Sequence, residues 1–427
     1  MQTTIAQLFR TEYARMVSVL ARHFGLAHLE TAEDIVSETF LLASETWGLK
    51  GLPTNPRAWL YASAKNKCLD MLRRQKTFDT KISSSFVHQT KETQNTEWQM
   101  NAEQIFEDKR IEDSQIRMLF AVCVPSLPQE VQIGLALRIL CGFGIDEIAA
   151  AFLVSKDTIN KRLYRGKEKL RIEGISTDLP TDTELATRLA NVLHVLYLLF
   201  NDGYYTASVP TKADSGPLKP SLCQEAMRLT ILLLSYGPAR QPPAFALLAL
   251  MCFQASRMAA RSGPTGAIIL YADQDTNLWD SNLIAKGEEF LNLSAHGNRA
   301  STYHLQAAIA YWHSRPPATN GKWNEILNLY NRLLILQYSP IVALNRTFAL
   351  LQAQGPEAAL AEAVKLPKSE SPFYHTLMAE IWKHSDSKQA TAHLGSAIAL
   401  AKTEPERALL RGRLEALDLA TCNNAPM

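Results

Sequence analysis

The chain has 427 residues, of which 47% are hydrophobic and 20% are charged, and these proportions predict a soluble globular protein with more than one domain. Its formal net charge of +2 excludes a uniformly basic chain, so any nucleic-acid surface must be local. No uninterrupted apolar run approaches the roughly 18 residues that a membrane span needs. The N-terminus also lacks the apolar core of a signal peptide, so a cytoplasmic location is expected.

Catalytic and metal-binding motifs are missing from the sequence. The six cysteines are scattered without a C-x-x-C pair, and neither H-E-x-x-H, G-x-S-x-G nor a Walker loop occurs. His296, His304 and His313 are near one another in sequence, but the last two would lie on opposite faces of a helix. We interpret them as core or surface residues and expect neither an enzyme nor a cofactor.

Apolar residues recur at i, i+3 and i+4 along nearly the whole chain, and no alternating strand pattern appears. This periodicity predicts an all-α protein. The polar segment 75–112, rich in Ser, Thr and Gln, has the composition of a linker. We therefore expect small helical domains at 1–74 and 113–174, and a long helical domain at 182–427.

The first domain contains the segment "HLETAEDIVSETFLLASETW", which has the pattern of an acidic amphipathic helix. We expect Ile35, Phe40 and Leu41 to face inward. The acidic residues expected on the outer face are Glu33, Asp34 and Glu38.

The next helix, "NPRAWLYASAKNKCLDMLRR", begins near a proline and mixes aromatic with basic and amide side chains. Such mixtures are typical of proteins that bind single-stranded nucleic acid, because bases stack on aromatic rings and phosphates pair with cations. A half-buried core position for Trp59 remains an alternative. The candidates are Trp59, Tyr61, Lys65, Asn66, Lys67, Arg73 and Arg74.

The second domain contains a helix-turn-helix pattern. The short apolar helix "IDEIAAAFL" and a turn precede "SKDTINKRLYRGKEKLR", which carries seven Lys or Arg against two acids. Ser155 is expected to cap the second helix, and Ile159, Leu163 and Leu170 to form its buried stripe. The side chains expected to meet duplex DNA are Lys156, Asn160, Lys161, Arg162, Tyr164, Arg165 and Lys167.

Two features mark the long helical domain. Stretches beginning at Ser339 and Ser371 share a pattern about 32 residues apart, which predicts an irregular tetratricopeptide-like helical repeat. Upstream, the segment "NDGYY" is interpreted as a turn that ends a helix, or alternatively as an interdomain latch. The latch candidates are Asn201, Asp202, Gly203 and Tyr204.

The segments "AEDIVSETF", "PRAWLYASAKNKCLDMLRR" and "IDEIAAAFLVSKDTINKRLYRGKEKLR" together resemble regions 2 and 4 of extracytoplasmic-function sigma factors. The remainder resembles the long C-terminal extension of one group of these factors, including "LYLLFNDGYYTAS" and "YADQDTNLWDSNLIAKG". The chain departs from that group at Cys123-Val124-Pro125, where a Cys-His-Pro is more usual.

The resemblance implies that domain 1–74 is region 2 and that domain 113–174 is region 4. It implies core RNA polymerase, through its clamp helices and flap, and promoter DNA as partners. Glu33, Asp34 and Glu38 would then dock on polymerase. The helix with Asn66 would capture the melted −10 strand, and the basic helix would read the −35 duplex. The C-terminal domain would regulate the protein in cis, with a possible protein or ligand partner.

Two other hypotheses remain open. A helix-turn-helix regulator with a helical sensor domain explains residues 113–427 but leaves the acidic and aromatic-basic helices of the first domain without a role. A helical-repeat scaffold would leave the basic helix as a merely solvated surface and predicts no DNA binding.

Overall fold

The computed structural model of the chain describes residues 2–82, 107–152, 154–206, 218–261, 263, 267–297, 299–316, 319–366 and 371–423. These described residues form helices and connections without a β-strand, which confirms the all-α prediction. The chain divides into two compact units: Met1–Leu199 with Ser235–Ala239, and Phe200–Leu234 with Arg240–Met427.

The first two helices of the first unit each end before a residue that tolerates an unusual backbone. Gly25 and Gly51, both with a φ of 82°, follow the first two helices, and a positive φ favours glycine. In chain order the helices are α1 (Gln2–Phe24), α2 (Leu29–Lys50), α3 (Pro56–Ile82), α4 (Asp108–Val122), α5 (Gln129–Leu135), a π-helical turn (Ala136–Leu140), α6 (Ile145–Phe152), α7 (Lys156–Ile172) and the greater part of α8 (Asp182–Thr206).

The core of the first unit is built around α1. Tyr13, Met16, Val17 and Leu20 are fully buried, and their spacing places them on one helical face. This face packs against α2 and α4, where Phe120 is also fully buried. Because α1 contacts helices of both predicted small domains, it ties them into one unit.

The second unit continues the helical pattern with short connections. Its helices are α9 (Leu218–Ser235), α10 (Pro242–Ala255), α11 (Ser281–Leu293), α12 (Thr302–His313), α13 (Lys322–Leu336), α14 (Pro340–Gln354), α15 (Pro356–Ala363), α16 (Pro372–Trp382), α17 (Ser387–Leu400) and α18 (Glu404–Asn423).

Helix α10 is apolar on all sides. Together with the short turn after it, Pro242–Ala260 is long and apolar enough to cross a membrane by length and composition, with a mean hydropathy of 1.3. Polar residues interrupt this segment, so the sequence shows no continuous apolar run there. In the structure, 67% of this apolar stretch is buried inside the second unit, as expected for a central core helix.

Both stretches with the 32-residue pattern form pairs of helices. Ser339 and Ser371 each precede a helix that begins with proline. Ala359 and Ala363 of α15 are fully buried beside Leu377 and Ile381 of α16, because small side chains let the two helices approach. Each stretch therefore contributes a helix pair packed on its neighbour.

Candidate nucleic-acid interface

The basic helix α7 begins at the predicted residue. Ser155 is extended, and its Oγ accepts a hydrogen bond from the Thr158 amide at 3.2 Å. Ile159, Leu163 and Leu170 are buried, which confirms the predicted stripe. This arrangement fixes which face of α7 is left to the solvent.

Helix α7 lies very close to α5 at Gly166. A Cβ atom there would come within 2.6 Å of Val131 Cγ1 and 3.0 Å of Leu135 Cδ1. Such distances are shorter than van der Waals contact allows, so this position requires glycine. The close approach holds the basic helix at a fixed angle on its scaffold.

The outer face of α7 presents most of the predicted DNA-reading residues. Lys156, Asn160, Lys161, Tyr164 and Arg165 are exposed. Lys156 Nζ lies 2.7 Å from Asp146 Oδ1, and this pair is open to solvent on both sides. Exposed ion pairs contribute little free energy, so Lys156 can exchange its carboxylate for a phosphate.

Arg162 is less exposed than these residues and lies at the edge of the same face. Its Nη2 lies 2.5 Å from Glu130 Oε2, and Glu130 is largely exposed. A DNA phosphate would therefore compete with this carboxylate for the guanidinium.

Lys167 and Glu33 depart from the sequence-based expectation. Both were expected to face outward, and both are instead drawn inward, where Lys167 Nζ donates a hydrogen bond to Glu33 Oε2. Glu33 is only 5% exposed, and its Oε1 also accepts from Arg138 Nε at 3.0 Å. One carboxylate from α2 thus holds two cations, one on the π-helical turn and one on α7.

Tyr13 completes this buried polar cluster. Its hydroxyl lies 3.4 Å from Glu33 Oε1 and accepts a hydrogen bond from Arg138 Nη2 at 3.1 Å. Burial and the Glu33 charge raise the pKa of the Tyr13 phenol, so it stays protonated. Sequence reasoning missed Tyr13 and Arg138, although an arginine within the apolar run "GLALRILCGF" was a signal that it has a buried partner.

The remaining acidic residues of α2 are exposed as predicted. Asp34 and Glu38 face the solvent, and Glu38 Oε2 accepts a hydrogen bond from Lys67 Nζ of α3 at 2.8 Å. Leu41 was expected to face inward, but it is 61% exposed, because it lies beyond the buried face that Ala32, Val36 and Phe40 define. The exposed face of α2 is therefore both acidic and apolar.

The two aromatic residues of α3 are placed differently from each other. Trp59 is half-buried and packs edge-on against Trp47 with a centroid distance of 5.4 Å. Tyr61 is only 7% exposed, and its hydroxyl donates to Glu12 Oε2 at 2.6 Å. The Tyr61 ring is thus a core group, and it is not presented for stacking on bases.

The polar candidates on α3 lie near the surface. Asn66 is exposed, whereas Lys65 and Lys67 are partly exposed. The side chains of Arg73 and Arg74 lie outside the described residues.

The predicted turn at 201–205 is wrong, because α8 continues as a helix through Thr206. Gly203 is needed there, since a Cβ would lie 2.8 Å from Cys223 Sγ of α9. Tyr204 is buried, with the Arg261 guanidinium 3.9 Å from its ring centroid. Asn201 and Asp202 are half-buried, and burial raises the pKa of the Asp202 carboxyl. All these residues lie in the second unit.

Five cysteines are buried free thiols, as expected for core residues, and burial raises the pKa of Cys68, Cys123, Cys223 and Cys252 to about 12. The described part of the chain holds no group of three or more metal-ligating side chains.

Family models match three segments of the chain. Residues 8–78 match the family model for sigma-70 region 2, and residues 117–170 match the model for sigma-70 region 4. Residues 188–295 match a family of unknown function, DUF6596.

Two curated relatives extend these matches. The chain is 35% identical over 409 residues to uncharacterized protein R00370 of Rhizobium meliloti, covering 94% of this chain and 93% of the relative. It is 28% identical over 165 residues to the ECF RNA polymerase sigma factor SigE of Mycolicibacterium smegmatis, covering 39% of this chain and 59% of that protein. No solved structure matches the chain.

Proposed function

Because the chain belongs to the extracytoplasmic-function sigma factors that carry a C-terminal extension, we propose that it binds core RNA polymerase and reads promoters with two separate helix faces. The observation that supports this proposal most directly is the outer face of α7. This capped helix lies in the region 4 match and presents exposed cationic and amide side chains.

In this proposal α7 enters the major groove of the −35 duplex. Lys156, Asn160 and Lys161 lie in its first two turns, where a recognition helix contacts base edges. Tyr164 and Arg165 follow one turn later and reach the phosphates. In this arrangement, the side chains at the start of the helix read the base sequence, and those in its middle contribute salt-dependent affinity through phosphate contacts.

Region 2 supplies the second face. Asn66 and the neighbouring Lys65 and Lys67 receive the melted −10 strand, and Trp59 offers the exposed part of its ring. Arg73 and Arg74 extend this proposal beyond the described side chains. Tyr61 is left out because its ring is buried.

Docking on polymerase is assigned to the exposed face of α2. Asp34 and Glu38 provide carboxylates, and Leu41 and Leu49 provide apolar surface that is 61% and 88% exposed. Exposed apolar residues beside charges are typical of protein interaction sites. A cytoplasmic location follows from such a partner.

The second unit is assigned a regulatory role in cis. It is a series of packed helix pairs after the sigma regions, and tetratricopeptide-like helix pairs bind partners along one face. In this proposal Asn201, Asp202, Gly203 and Tyr204 couple that domain to the sigma core.

The test is DNA binding with and without core polymerase. Labelled DNA from upstream of the protein's own gene is titrated with the full chain, with core enzyme alone, and with both. We expect a sequence-specific complex only with both proteins. Sharp binding to a palindrome without polymerase would contradict the proposal and support a helix-turn-helix regulator instead.

A matched pair of variants assigns the binding to α7. Lys161→Ala with Arg165→Ala removes two exposed cations of the basic helix, and we expect the complex to be lost. Arg332→Ala with Lys388→Ala removes two exposed cations of the second unit, and we expect the polymerase–DNA complex to form as with the parent chain.

A further inference from the structure

A group of cations and aromatic rings lies in the second unit, away from both proposed DNA-binding faces. Arg257 comes two residues after α10, His313 is the last residue of α12, and Lys322 is the first residue of α13. Tyr271 and Trp279 belong to the connection between α10 and α11. These five residues are called the Arg257 cluster below.

Tyr271 lies at the centre of the Arg257 cluster. Its ring centroid is 4.8 Å from Arg257 Cζ and 4.4 Å from Lys322 Nζ. The same ring stacks on Trp279 with a centroid distance of 6.2 Å, and His313 packs against it edge-on at 5.2 Å. Two cations therefore share one aromatic ring.

Neither of these cations has a carboxylate partner among the described residues. Arg257 Nη1 donates a hydrogen bond to the His313 carbonyl oxygen at 3.0 Å. Lys322 is fully buried, and its Nζ donates to the Tyr271 hydroxyl and, at 2.9 Å, to the Arg315 carbonyl oxygen. All three acceptors are neutral, whereas buried charges in proteins are ordinarily paired with an opposite charge.

The pKa shifts reflect the same excess of positive charge. Burial and the Arg257 charge lower the pKa of the Lys322 amine to about 8, and burial lowers the pKa of the Arg257 guanidinium. The pKa of His313 is lowered by burial and by both cations. A negative charge placed among these groups would act in the opposite direction, since it favours their charged forms.

Two N–H groups of the cluster also have no hydrogen-bond partner. Arg257 Nε and Trp279 Nε1 are both buried and unpaired, although buried donors in proteins nearly always have an acceptor. Nη1 is the one Arg257 nitrogen with an acceptor among the described residues. The edge formed by Nε and Nη2 is thus available, and this edge binds two oxygens of a carboxylate or phosphate at once.

We propose that the Arg257 cluster binds the oxyanion group, a carboxylate or a phosphate, of a small molecule. Arg257 holds two oxygens through Nε and Nη2, Trp279 Nε1 donates to the same group, and Lys322 adds its positive charge. Tyr271 and Trp279 adjoin two single 3-10 turns without buried residues, so this surface connection can shift to admit the ligand. The use of such a ligand as a control signal rests on the proposed function, whereas its binding does not.

The experiment measures oxyanion binding to the full chain at pH 7, where the Lys322 amine is mostly protonated. The probes are inorganic phosphate and benzoate, with sodium chloride at equal ionic strength as the reference. A ligand that binds only the folded protein raises the melting temperature with its concentration. Titration calorimetry then gives the dissociation constant of each probe.

Variants separate a specific site from the general stabilisation that phosphate gives to folded proteins. Arg257→Gln should weaken binding about ten-fold or more, because it removes a charged double hydrogen bond. Trp279→Phe keeps an aromatic ring but removes one donor, and should weaken binding about three-fold. Arg240→Gln is the matched control, because Arg240 is exposed with its Cζ 5.9 Å from the Phe245 ring centroid, and should leave binding unchanged.

Binding that is lost with Arg257→Gln and kept with Arg240→Gln would support the site, and the tighter probe identifies the group as phosphate or carboxylate. Absence of binding by both probes, or equal stabilisation of the parent and Arg257→Gln, would overturn it. Where Arg257→Gln does not fold, Trp279→Phe makes the same comparison. Oxyanion binding by a chain that fails to bind polymerase would overturn the proposed function and leave the site in place.

Discussion

The Tyr61 hydroxyl donates a hydrogen bond to Glu12 Oε2 at 2.6 Å, and both side chains are buried. The Arg57 guanidinium also lies 5.4 Å from the Tyr61 ring centroid and 3.3 Å from the same Glu12 oxygen. Tyr61 therefore links α3 to α1 inside the core of the first unit. A residue that sequence pattern favours as a base-stacking group is in this structure a structural one.

Tyr61→Phe tests that assignment. The substitution keeps the ring but removes one donor from a buried carboxylate, which costs about 1–3 kcal/mol of stability. We expect the first unit to unfold at a lower urea concentration. Promoter binding should be unchanged at temperatures where the protein is folded. Tyr164→Phe, at a tyrosine that is 64% exposed, should not change the midpoint. Full stability with lost promoter binding would show instead that Tyr61 meets DNA.

Gly166→Ala tests the close packing of α7 on α5. The added Cβ would lie 2.6 Å from Val131 Cγ1, and the branched valine side chain has little rotamer freedom in a helix. Overpacking of this kind costs about 1–3 kcal/mol, which exceeds the helix-propensity gain of about 1 kcal/mol from replacing glycine. We expect a lower melting temperature and weaker DNA binding.

Gly395→Ala is the matched control for that substitution. A Cβ at Gly395 would meet nothing within 4 Å, and the residue is exposed within α17. Only the propensity gain then applies, so we expect an unchanged or slightly raised melting temperature. Equal destabilisation by both alanines would contradict the packing explanation.

His313 gives the second unit a predicted sensitivity to acid. Burial, with the nearby Arg257 and Lys322 charges, lowers the pKa of the His313 imidazole to about 3. Because the unfolded chain binds this proton near pH 6.5 and the folded chain does not, stability falls as the pH drops from about 6.5 toward 3. At pH 5 this loss amounts to about 2 kcal/mol, at about 1.4 kcal/mol for each pH unit.

The measurement compares melting temperatures at pH 7 and pH 5. His313→Gln removes the titrating group, so we expect a smaller drop between the two pH values than in the parent chain. His296→Gln, at an exposed histidine, is the control and should keep the drop of the parent. An identical drop in all three proteins would show that His313 does not contribute.

The salt dependence of the polymerase–DNA complex tests the phosphate contacts of α7. Each phosphate contact contributes about −0.9 to the slope of log affinity against log salt concentration. Arg165→Ala should therefore make the slope less negative by about one unit. Lys388→Ala should leave the slope unchanged, because Lys388 lies in the second unit. A slope unaffected by Arg165→Ala would remove this residue from the DNA-contacting set.

Local pattern was sufficient to predict the helices and the cap at Ser155, because propensity and capping depend on neighbours in the chain. It also placed the stripe of Ile159, Leu163 and Leu170 correctly. The turn at 201–205 was mispredicted, since Gly203 reflects a close approach to α9 and not a helix end.

Glu33 and Lys167 show what the sequence reading missed and which signal was present. Glu33 is four residues after Leu29 and three before Val36, and Lys167 is four after Leu163 and three before Leu170. Helical periodicity thus puts both charges on buried faces. Because both side chains are charged, we predicted that they would be exposed to solvent. Only the folded structure shows that each is the other's ion-pair partner.

The most direct test of the central claim is run-off transcription with purified core RNA polymerase on a template from upstream of the protein's own gene. We expect a discrete transcript that requires the full chain, disappears with the double variant Lys161→Ala, Arg165→Ala, and persists with the double variant Arg332→Ala, Lys388→Ala. A chain that binds this DNA without polymerase and yields no polymerase-dependent transcript would contradict the claim.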